Sequence, residues 1–140
     1  MMKKYTPLFL ITAALLVGCA NNATSTVLES GTSQVQTRQM QSRVFDTNDK
    51  EKTLRTVIAT LQDLGFVIDK ADLTLGSVTA TKLDGYALKM SVTVRPRNAN
   101  QLLVRANAQY EEQAVTDPKT YQAFFTSFEK AMFLTAHEVD

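Results

Sequence analysis

Cys19 is the one cysteine of the chain, and it closes the apolar run Leu16-Val17-Gly18. A single thiol cannot form an intramolecular disulfide, and without a second cysteine or a nearby histidine it has no metal-site spacing. Nucleophilic catalysis would need a base beside it. The sole histidine, His137, stands near the far end of the chain next to Glu138, where interaction with a helix C-terminus accounts for it. Asp69-Lys70-Ala71-Asp72 has the composition of an acid/base or cation site, but the stretch reads as solvated turn residues at a strand end. Gly65, Gly76 and Gly85 lie too far apart for a phosphate-cradling loop, and no serine has a nucleophile-elbow context. These residues define no catalytic constellation, so the chain reads as a non-enzyme with no cofactor. The chemistry left to Cys19 is modification of its own thiol.

The segment before Cys19 indicates which modification. Lys3 and Lys4 form a short positive region, and Leu8 to Val17 is apolar except for Thr12, the length of a signal-peptide core. It is shorter than the roughly 20 apolar residues of a comfortable transmembrane helix. Leu16, Val17, Gly18 and Cys19 resemble the lipobox of bacterial lipoproteins processed by signal peptidase II. The resemblance implies that the thiol of Cys19 takes a diacylglycerol, the bond before it is cut and the new N-terminus is acylated. Ala20 in the next position, where aspartate is associated with inner-membrane retention, implies the outer membrane, periplasmic side. Each buried methylene adds about 0.8 kcal/mol to membrane attachment, so several chains on one residue would hold the protein stably.

Composition agrees with one small domain behind such an anchor. The 140 residues include 44% hydrophobic and 21% charged positions, and no tryptophan. The formal charge is +1 from 15 basic and 14 acidic residues; loss of Lys3 and Lys4 with the signal (residues 1–18) would leave 13 against 14, or −1. A near-neutral chain with scattered cations lacks the footprint of a nucleic-acid binder. Residues 19–38 are rich in Ser, Thr, Asn and Gln, which cannot bury enough apolar surface to order the chain, and read as a flexible tether. The folded domain is expected over 39–140.

Within it, Gln39 to Phe45 alternates as a first strand would. Asp46 to Asp49 offers helix N-caps, and Leu54, Val57, Ile58, Leu61 and Leu64 form one buried helical stripe that ends at Gly65. Phe66 to Ile68 and Leu75 to Lys82 read as strands, with Asp84-Gly85 as a hairpin turn. Tyr86, Leu88, Met90, Val92 and Val94 occupy alternate positions of a further strand, which Pro96 is expected to end. Leu102 to Tyr110 repeats the alternation. Asp117-Pro118 opens a last helix, along one side of which lie Tyr121, Phe124, Phe125, Phe128 and Met132. The order β-α-β-β-β-β-α predicts an α+β fold with an antiparallel sheet of four to five strands and two helices on one face.

Arg43-Val44-Phe45-Asp46 leading into a helix, then Leu61-Gln62-Asp63-Leu64-Gly65-Phe66 and Leu75-Gly76-Ser77-Val78, resemble the helix-grip domains of envelope lipoproteins such as the C-subunit of the β-barrel assembly machine. The polar side of the predicted strands is the candidate docking face: Ser77, Thr79, Thr81, Lys89, Ser91, Thr93, Arg105 and Asn107. The expectation is a lipid-anchored accessory or docking subunit of an envelope complex for assembly, efflux or secretion. It would meet the membrane through acyl chains on Cys19 and would bind an envelope protein. The alternative expectation is a carrier or sensor of a small apolar ligand held between the aromatic helix and the sheet.

Overall fold

The computed structural model describes residues 34–138, with side chains through residue 133. The signal, the lipobox residues Leu16, Val17, Gly18 and Cys19, and most of the tether lie outside the described residues. In chain order the elements are α1 (34–40), β1 (Ser42–Phe45), α2 (Lys50–Asp63), β2 (Val67–Asp72), β3 (Ser77–Asp84), β4 (Tyr86–Asn98), β5 (Gln101–Tyr110), β6 (Gln113–Ala114) and α3 (Pro118–Glu138). The fold is α+β, with a six-stranded antiparallel sheet of order β1-β5-β4-β3-β2 in which β6 also pairs with β5.

Local chemistry starts and stops α2 where its composition says it should. The side chain of Asp49 accepts from the Lys52 N–H at 2.9 Å, satisfying one of the orphan donors of the first turn. At the other end Gly65, with φ +86°, donates to Gln62 O while the Phe66 N–H reaches Leu61 O. This is the Schellman pairing, which needs a left-handed residue at the glycine position. Phe66, whose N–H completes it, is itself buried in the core.

The buried arc of α2 is wider than the stripe read from the sequence, and it is rotated. Thr53, Thr56 and Thr60 are buried beside Leu54, Val57 and Leu61, whereas Ile58 and Leu64 are half-buried. Each threonine hydroxyl donates to the carbonyl four residues earlier, at 2.7, 2.9 and 2.8 Å. That internal satisfaction lets three polar side chains face the core without leaving an unpaired group.

The sheet's apolar face carries Val78, Ala80, Met90, Val92, Val94, Leu102, Val104, Ala106 and Ala108 into a single core with α2 and with Tyr121, Phe124, Phe125 and Phe128 of α3. Phe45 meets Phe128 edge-to-face at 5.0 Å. The Arg43 guanidinium lies 5.0 Å from the centre of the Phe125 ring, a cation–π geometry. These contacts hold β1 against the last helix.

Five details differ from the sequence reading. Residues 34–38, assigned to the tether, are helical with Gln39 and Met40, and Met40 packs on the core; one apolar anchor at the end of the segment orders it. The first strand is correspondingly shorter. Asp69 to Asp72 belong to β2 itself, where a register shift falls between Ile68 and Lys70. Strand β4 passes through Pro96 to Asn98. The Val94 N–H bonds to Gly76 O on the β3 side, and the N–H that Pro96 lacks would point to that same side, beyond the end of the β3 pairing, so no ladder bond is lost. Finally, β6 adds a sixth strand, reached through Glu111 at φ 54°.

Candidate docking face

Residues directly opposite in an antiparallel pair project to the same side of a sheet, so the register sorts every strand residue onto a face. One row reads Ser42, Arg105, Thr93, Ser77 across β1, β5, β4 and β3. The next reads Asn107, Ser91, Thr79 and Lys70 across β5, β4, β3 and β2. A third reads Gln109, Lys89, Thr81 and Val67 over the same strands. All eight residues singled out in the sequence therefore lie together on the face opposite α2 and α3. Alternation in burial agrees: Val78 and Ala80 are buried, while Ser77, Thr79 and Thr81 between and beside them are half-buried.

The register adds residues that sequence reading left off this face. Arg95 pairs with Leu103, which pairs with Val44, forming a further row at the β1 end. Arg95 shares the alternation of Lys89, Ser91 and Thr93 along β4, and its pairing with Leu103 sets it at the end of the face. Lys70 was assigned to a turn. For Arg95 that alternation is a local signal; for Lys70 only the pairing with Thr79 supplies one.

Few polar contacts tie this surface down. The Thr81 hydroxyl donates to Asp69 Oδ2 at 2.6 Å, and Arg105 Nε donates to Ser42 Oγ at 3.2 Å. Asp72, at the β2 edge, accepts from the Leu75 N–H at 2.8 Å. The ion pairs among the described residues, Arg43 with Glu129 and Arg55 with Glu51, involve none of the cations of this face.

The sheet ends in β1 on one side and β2 on the other, and the backbone of β5 behind the short β1 is covered along most of its length. Against β5, strand β1 covers residues 102–105 and β6 covers 109–110. In the gap between them, Gln41 O accepts from the Ala106 N–H and the Tyr121 phenol accepts from the Ala108 N–H at 3.3 Å. At the opposite edge β2 carries Asp69, Lys70, Asp72 and a register shift, devices that discourage edge pairing.

Around its aromatic rings the last helix is packed tightly on the sheet: Tyr121, Phe124, Phe125 and Phe128 are each 2% exposed or less. At one end of that layer a pocket of about 140 Å³ opens between Thr120 and Ala123 of α3, Leu64 and Phe66 at the end of α2, and Lys82, Leu88 and Met90 of the sheet. Among the described residues no group of three or more His, Cys, Asp or Glu side chains is placed to hold a metal ion. His137 falls in α3, with its side chain outside the described residues. No protein-family model matches the chain, and no curated protein matches its sequence.

Proposed function

We propose that this protein is a non-enzymatic lipoprotein, anchored through acyl chains on Cys19 to the periplasmic side of the outer membrane, that serves as an accessory or docking subunit of an envelope complex. The observation that carries the reading is the broad polar sheet face, which neither α2 nor α3 covers and whose residues come from five strands. An antiparallel sheet can leave one face to water, and that face is then open to a partner. A tethered adaptor uses that side. Confinement near the membrane raises its effective concentration for partners there. The test is a photo-crosslinking amino acid at Ser91, in the centre of the face, in the full-length protein at native abundance in its own membranes. An adduct with another envelope protein is expected; recovery only as the free monomer overturns the reading.

The pocket beside Lys82 favours a second reading, a carrier or sensor of a small apolar ligand. At about 140 Å³ it suits one benzene-sized group, since an apolar cavity of roughly 150 Å³ takes one. Native mass spectrometry separates the two readings: a carrier retains a co-purifying small mass, and a docking subunit without ligand does not.

A further inference from the structure

We infer that the surface recognised by this face is acidic protein, with carboxylates spread along about 20 Å of the β4–β5 ridge. The inference rests on the docking reading and specifies the partner's chemistry. Lys89 and Arg95 lie on β4, and Arg105 lies opposite Thr93 on β5, all three exposed. With about 3.4 Å per residue, the level of Arg105 is about 14 Å from Lys89 and about 7 Å from Arg95. Lys70 adds a fourth cation at the β2 side of the same face.

Two carboxylates, Asp69 and Asp72, accompany them on the edge strand β2, and a third, Asp46, follows the end of β1 beside Gln101; all three are engaged within the domain. The central strands β4 and β5 and the edge strand β1 contribute none to this face. This bare side thus carries four cations that take part in neither of the ion pairs Arg43–Glu129 and Arg55–Glu51. An anionic partner is attracted by that potential before contact, and its correct orientation is favoured.

The remaining side chains choose among anions. Between the cations stand Ser77, Thr79, Ser91, Thr93 and Asn107, short groups that both donate and accept and so match the amides and hydroxyls of a protein surface. No aromatic side chain lies on this face among the described strands, since Tyr86 and Tyr110 fall on the other side of the register. Stacking platforms for single-stranded nucleic acid are therefore lacking. The centre of the face also carries no apolar side chain to enter a bilayer. Its apolar side chains stand at the margins: Val67 and Leu83, at 71% and 82% exposure, at one corner, and Val44 and the half-buried Leu103 in the row of Arg95 at the other end.

The experiment uses the full-length protein in its membranes with the crosslinker at Ser91, alone and combined with Lys89→Glu and Arg105→Glu. The crosslinked peptide is identified by mass spectrometry, and added poly-L-glutamate serves as an acidic competitor. An Asp/Glu-rich peptide is expected, with adduct yield falling about tenfold or more on double charge reversal, falling likewise with poly-L-glutamate or raised salt, and kept by Arg105→Lys. An unchanged urea midpoint in the reversed variant shows that it folds. A peptide without excess carboxylate, formed equally by the reversed variant, overturns the acidic assignment and leaves docking intact. Adducts to lipid alone assign the cations to the membrane surface and overturn it. No adduct of any kind removes the docking reading itself.

Discussion

At the scale of single residues, Tyr121 does more than fill the core. Its hydroxyl donates to Val115 O at 2.6 Å and accepts from the Ala108 N–H at 3.3 Å and from Gln41 Nε2 at 3.1 Å. One phenol thus closes the break between β1 and β6 along the β5 edge and joins the segment before β1 to β5 and to the turn into its own helix. Tyr121→Phe keeps the ring but leaves a buried carbonyl and a buried N–H without that partner. The expected loss is about 1–3 kcal/mol, read as a lower urea midpoint with an unchanged slope. The sequence showed Tyr121 as the first ring of an apolar stripe; nothing in its spacing marked it as a hydrogen-bonding hub, because its partners come from other elements. Gly76 makes the same point for backbone. A Cβ there would meet Val94 O at 2.5 Å, a close approach created by the β3–β4 pairing.

At the scale of elements, the legible parts were those set by nearest neighbours along the chain. The caps of α2, the proline-led start of α3 with Asp117 Oδ1 accepting from Lys119 N at 3.0 Å, and the alternation of β4 and β5 all depend on local chemistry. Asp49→Ala is expected to lower stability by about 1 kcal/mol through loss of the cap, measured by urea unfolding, while Asp49→Asn retains most of it. The parts misread are those where a neighbouring element overrides local preference. Pro96 is tolerated in β4 because β3 has already ended. The threonines of α2 are buried because their hydroxyls bond backwards along their own helix. Asp69 to Asp72 form a strand because β3 pairs with them, although their composition is that of a turn.

At the scale of the whole molecule, β1 and β2 flank α2 in sequence yet stand at opposite sides of the sheet, so α2 carries the chain across the apolar face. Both long helices are spent on that face, and the hydroxyl and cationic side is left outward. The proposed anchor acts at this scale too, since it decides where that side operates. Cys19→Ser is expected to release the domain from membranes or to leave it unprocessed. The checks are sedimentation and intact mass, and normal acylation with membrane sedimentation of the variant would refute the lipoprotein assignment.

What the amino-acid sequence determined by itself was the α+β class, the two long helices with their caps, and which side of β3, β4 and β5 is polar, because helical and strand periodicities and capping act over a few residues. Tertiary structure alone decided the pairing of β1 with β5, the sixth strand, the covering of the β5 backbone by Tyr121, and the joining of Lys70 to the surface that carries Lys89, Arg95 and Arg105. Those depend on register between segments far apart in the chain, and a shift of one residue in any pairing would have turned the same side chains to the other face.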